Sequence, residues 1–256
     1  MARGGSRREL PPPLPPETRT VGQLVAEAVR FYGRRFWPSL ALGVPAAILV
    51  VALAPLDRLE RLLVLVTAGT VLVTISYAAA CVLVSEEERR GSLPGALAAG
   101  VLVFAPVPLL TSAFILPGLA WLAFFGLAVP AVLLEGRGFR ASFRRAVELA
   151  RADYVHALGS LATLVIVVFL CQAVLFFLLR GAGEAAVEVA AFLASLVISP
   201  LLFLGGALLY FDQAARVRSS RPDGALQRRQ PAAPGQVRHT PPRRPDRRAA
   251  RPRHDR

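Results

Sequence analysis

Few side chains in this sequence could do chemistry at a fixed place, and three of them stand out: Glu135, Arg145 and Asp212. Glu135 closes the fourth apolar stretch, Arg145 follows in an amphipathic loop segment, and Asp212 ends the last apolar stretch. Acids at membrane depth are costly unless paired. The expectation is therefore that Arg145 pairs with one of the two acids and locks its helix against the bundle. A lipid-modifying enzyme would require both acids and the arginines to converge on an open, headgroup-sized pocket. The three histidines do not cluster: His156 lies beside an apolar stretch, and His239 and His254 lie near the C-terminus. A histidine metal site needs clustering. HExxH, GxSxG and P-loop motifs are missing. Cys81 and Cys171 each fall inside an apolar stretch and read as packing residues. No catalytic, cofactor-binding or metal-binding residue is assigned, no cofactor is implied, and the chain reads as non-enzymatic.

The elements that position these residues follow from hydropathy. Hydrophobic residues make up 54% of the 256, and apolar runs of ~20 residues match the ~30 Å hydrocarbon layer. The backbone must satisfy its own polar groups there, and no alternating strand pattern suggests a barrel. The fold class is all-α, a polytopic bundle of about six spans. Four are placed at 37–56, 62–84, 157–179 and 189–211. The uncharged run 93–134 is about 63 Å long as helix at ~1.5 Å per residue, too long for one crossing. Pro117-Gly118 near its middle predicts a hairpin between spans at 93–116 and 118–134. One span plus a re-entrant segment remains the other reading of this run. No ionisable residue lies inside a span, and Gln172 is the costliest polar group there.

Two interfacial amphipathic helices complete the domain at 20–213. In the first, over 20–36, Thr20 and Gln23 stand at capping-box spacing, with Val21, Val25, Ala28, Tyr32 and Phe36 on one face. The helix is expected to end at Pro38, beside Trp37 in the headgroup layer. The second covers 138–154, with Phe139, Phe143, Ala146, Ala150 and Tyr154 on one side and Arg140, Arg144, Glu148 and Arg151 on the other. Arg144 and Glu148 are spaced to pair. Residues 1–19 read as a disordered Arg/Pro leader with no cleavable signal, and 214–256 as a disordered basic tail.

All 30 basic residues are arginine. Placing both termini and the even loops inside leaves only Arg58, Arg61 and Arg180 outside, an asymmetry that puts both termini in the cytoplasm. Membrane lipid is the expected partner, its anionic headgroups met by the basic tail. No aromatic residue is interleaved with the tail arginines to stack a base, so nucleic acid is disfavoured. A membrane or cytoplasmic protein partner remains open.

Ile115-Leu116-Pro117-Gly118, the run Pro130 to Gly136, Ala141, Arg145, Glu148-Leu149 and Leu209-Tyr210-Phe211-Asp212 resemble the bacterial membrane family named for the membrane domain of glycerophosphoryl diester phosphodiesterase, related to the YciC-like proteins. The resemblance covers roughly residues 20 to 215. It departs at Ala146, where serine is common, and at Arg216, a distant substitute for an arginine that follows the terminal aspartate. It implies a multi-pass protein of the bacterial inner membrane. The phosphodiesterase barrel of the fused members is missing here, so that activity is not implied. The expected function is a scaffold or envelope-associated accessory protein. The alternative is a permease or exporter built on proline-broken spans, which a polar cavity near the midplane would favour.

Overall fold

Proline governs where the helices of this bundle start. In the computed structural model, which describes residues 16–85, 90–112, 114–181 and 183–219, the helices are α1 (Val21–Arg34), α2 (Phe36–Ala41), α3 (Val44–Leu53), α4 (Arg58–Val64), α5 (Thr70–Val84), α6 (Leu93–Phe104), α7 (Pro106–Thr111), α8 (Ile115–Phe125), α9 (Ala128–Glu135), α10 (Phe139–Ala152), α11 (Tyr154–Leu179) and α12 (Glu184–Ser219). A π-turn at Leu65–Gly69 joins α4 to α5. Pro38, Pro45, Pro94, Pro106, Pro117 and Pro130 all fall within the first three residues of a helix. Their missing N–H groups cost little there, because first-turn amides have no intrahelical acceptor.

No strand occurs among the described residues, and six helical stretches are long and apolar enough to cross a membrane: 36–53, 58–84, 93–111, 115–135, 154–179 and 185–219. The chain is an all-α, polytopic transmembrane bundle with two interfacial amphipathic helices, α1 and α10. Because the crossings are even in number, Arg19 and Ser219 lie at the same end of the bundle, here called the terminal end.

Several boundaries move from their sequence-predicted places. The reversal between the third and fourth spans falls between Thr111 and Ile115, and Pro117-Gly118 instead sits in the first turn of α8. A proline marks a helix start as well as a turn, and here the first rule wins. The same holds at Pro38: α1 stops at Arg34, and the proline lies inside α2. Asp57 and Glu60 form a capping box that starts the second span at Arg58. The last helix does not end near Phe211 but runs on to Ser219, so residues 214–219 belong to the bundle rather than to a tail. The leader's 1–15 and the tail's 220–256 lie outside the described residues.

Small side chains bring the spans together. Buried alanines at 78, 80, 96, 99, 128, 131 and 207 line the core, as expected where lipid supplies no hydrophobic drive and close backbone approach must supply packing. Gly43 shows how close. A Cβ built there would stand 2.0 Å from the Leu196 carbonyl oxygen. Leu196 is four residues before Pro200 in α12, so its carbonyl has lost its helical N–H partner. The bare Gly43 backbone fills the space beside it.

Substituting Gly43→Ala should therefore lower the detergent melting temperature clearly, since backbone cannot yield. Gly33→Ala, with open space around it, should leave the melting temperature equal or slightly raised, matching a stability gain of up to ~1 kcal/mol. Circular-dichroism melts of the two variants measure this contrast.

Candidate functional site

Beside the Glu27 pairs with Arg30 and Arg34 along α1, the charged residues of the terminal end assemble into two networks that join different helices. The first is built where α9 ends. Gly136 takes a left-handed conformation (φ 65°), the usual way to stop a helix and reverse the chain. A Cβ at that position would meet the Arg90 carbonyl at 3.0 Å. The reversal folds α10 back beside α9. Its buried stripe comprises Ser142, Arg145, Ala146, Leu149 and Ala150, rotated from the predicted face so that Phe139 is exposed. Arg145 consequently faces inward. Its Nε donates to Glu135 Oε1 at 3.2 Å, and its Nη1 lies 2.9 Å from Glu148 Oε1. The predicted Arg144–Glu148 pair is replaced by Arg145–Glu148, because Arg145 is on the packed side and Arg144 points to solvent.

Glu135 collects three donors. Tyr210 Oη on α12 donates to Oε1 at 2.6 Å, and Arg137 Nε bonds the other oxygen. One carboxylate thus fastens α9, α10 and α12. Burial would lower the Arg145 pKa, but its bonds to Glu148 and Glu135 outweigh that effect and hold the guanidinium above its usual value.

Asp212 belongs to the second network. Tyr210 and Asp212 are two residues apart, about 200° around a helix of 3.6 residues per turn, so they face away from one another. Asp212, fully buried, accepts from Arg19 Nη1 at 2.9 Å. The end of the predicted leader is therefore docked, not free. Arg216, one turn along α12, bonds Asp153 Oδ2 at 2.9 Å and the Arg19 carbonyl at 2.8 Å. Asp153 also caps α11 by accepting from the His156 amide at 3.0 Å, and its own carbonyl accepts from Gln213 Nε2 at 3.3 Å. Four segments meet here: the chain before α1, the end of α10, the start of α11, and α12.

Of the three sequence candidates, Glu135 and Arg145 are brought together and Asp212 is not. Asp153, Arg19, Tyr210 and Gln213 were missed. Asp153 had a signal, as an N-cap residue directly before a long apolar helix. Tyr210 stood in the Leu209–Asp212 run but without a role, and Arg19 and Gln213 had no signal, since their partners lie far along the chain. Each acid is occupied by cations or hydroxyl donors, and the two do not converge on a shared pocket. Among the described residues, no group of three His, Cys, Asp or Glu side chains is close enough to hold a metal ion.

Deeper in the bundle lies a cavity of about 330 Å³, bounded by all six spans. Among the described residues, Tyr77 and Ser199 are the polar side chains in its wall; the others include Val73, Phe104, Leu122, Leu161, Phe203 and Leu209. Tyr77 Oη donates to the Gly206 carbonyl at 3.4 Å, and Ser199 Oγ to the Ser195 carbonyl at 2.5 Å. Both hydroxyls thus serve helix backbone.

No protein-family model matches the chain, and neither a curated protein nor a solved structure matches it.

Truncating Arg145 removes a charged hydrogen-bond donor from Glu135 while Arg137 and Tyr210 stay on it, at a cost of about 1.5–3 kcal/mol. Arg145→Ala should lower the melting temperature in detergent accordingly. Tyr210→Phe, which deletes one hydrogen bond, should cost about 1.5 kcal/mol. Thermal unfolding followed by tryptophan fluorescence ranks the two, and equal or negligible losses would refute the pairing as a fastening.

Proposed function

We propose that this chain is a non-enzymatic scaffold or accessory protein of the bacterial inner membrane, with both termini cytoplasmic, whose terminal end presents a basic face to anionic headgroups. The observation that carries the reading is the division of labour among the charges. The buried ones are consumed in pairs that fasten helices. Arg140, Arg144 and Arg151, on the outer side of α10, are exposed and make no ion pair among the described residues.

The arginine asymmetry supports the cytoplasmic placement of this face, and the resemblance to the phosphodiesterase membrane-domain family supports the bacterial setting. Trp37, 76% exposed beside α1, stands where an indole ring favours the headgroup layer. The permease alternative needed a polar cavity at mid-depth. The cavity bounded by all six spans is apolar, which supports the scaffold reading; a smaller one of about 260 Å³ has Gln172 and Ser195 in its wall.

Spin-labelled phosphatidylglycerol and phosphatidylcholine, compared in vesicles holding the reconstituted protein, test the headgroup preference. Each basic residue near an anionic surface contributes about 1 kcal/mol, so a severalfold preference for the anionic lipid is expected. It should weaken with salt and fall in a variant carrying Arg140→Gln, Arg144→Gln and Arg151→Gln. Equal association of both lipids with the wild type would overturn the proposal. For orientation, a membrane-impermeant maleimide should label Arg144→Cys in a Cys171→Ser background only when the cytoplasmic face is opened. Labelling in intact cells would reverse the topology.

A further inference from the structure

We propose that the interior cavity is a binding site for a single acyl chain of a membrane lipid. Its wall on α12 is formed by Ser199, Leu202, Phe203, Gly206 and Leu209. These residues recur at helical spacing along one face, over about 15 Å at ~1.5 Å per residue. On α8 and the α8–α9 break, Leu119, Leu122, Gly126 and Leu127 run parallel for about 12 Å. The cavity is thus elongated along the helix axes, the direction in which acyl chains lie in a bilayer.

Size and chemistry point the same way. An apolar cavity of about 150 Å³ stays dry and holds a benzene; this one is about 330 Å³. A compact polar solute would find only two hydroxyls, both donating to helix carbonyls. An acyl chain needs no polar partner, and bilayer lipid surrounds the bundle. The cavity is partly open, so hydrocarbon from the surrounding bilayer can reach it.

Helix breaks make the space. The fourth span is interrupted at Gly126-Leu127; on the facing helix the bare Gly206 lets the Tyr77 ring pack close at the cavity's edge, where a Cβ would lie 3.1 Å from it. The outward belt of the fifth span, with Phe169 at 65% and Val174 at 58% exposure, is the ordinary lipid surface against which interior binding must be distinguished.

A phospholipid carrying a diazirine on one acyl chain separates the two in vesicles holding the full chain. Irradiation and peptide mass mapping should give adducts on Tyr77, Leu122 or Phe203 as well as on the outward belt. Val73→Phe and Ala46→Phe each add bulk to the cavity wall. Either should reduce interior adducts at least fivefold while leaving Phe169 and Val174 labelled as before. Adducts confined to the belt in the wild type would overturn the proposal without recourse to any variant. Interior labelling unchanged in both filled variants would overturn it as well.

Discussion

A carboxylate at the edge of a hydrocarbon layer must be neutralised where it sits, and the terminal end of this protein is organised by that requirement. Glu135 and Asp212 close the fourth and last apolar stretches, where water is scarce on one side. Each recruits an arginine from a different part of the chain, and each arginine brings its own segment with it. Arg145 carries α10 onto the bundle; Arg19 carries the segment before α1. The ion pairs thereby decide where the amphipathic helices dock, although the helices' apolar stripes supply much of the adhesion.

Two networks rather than one follow from the geometry of α12. Tyr210 and Asp212 project to opposite sides of the helix, so one helix serves both clusters without bringing the acids together. A fused cluster would place two carboxylates in mutual repulsion and raise the cost of keeping both charged. Separation gives each acid an arginine of its own. Among the described residues the two acids share no pocket, and the outer arginines of α10 carry the functional proposal.

Below this polar layer the bundle solves a different problem. Backbone interrupted inside lipid must find partners, and the chain places nearly every break directly before a proline that restarts a helix. Pro200 is the exception, interior to α12, and the carbonyl it frees lies against the bare backbone of Gly43. Close approach there contrasts with the apolar cavity on the next turns of the same helix. Tight and loose packing alternate within about one turn.

Much of the fold was legible because it rests on local rules. Six apolar stretches, the Thr20–Gln23 capping box and two amphipathic helices are each set by residues a few positions apart. The Glu135–Arg145 contact was legible for the same reason: ten residues separate them, and Gly136 reverses the chain between. Arg19–Asp212 was not, because 193 residues intervene and no local pattern distinguishes Arg19 from its neighbours. Pro117-Gly118 misled because the same dipeptide suits a hairpin and a helix start. The register of α10 misled because arginine was counted as polar, whereas Arg145 is buried with its charge paired.

Double-mutant cycles test the central claim most directly, that two independent ion networks hold the terminal end. Coupling between Glu135→Gln and Arg145→Ala, measured by unfolding in detergent, should be at least about 1 kcal/mol, while Asp212→Asn and Arg145→Ala should add to within about 0.5 kcal/mol. Comparable coupling in both cycles would contradict the account, because it would mean that Asp212 and Arg145 share one network.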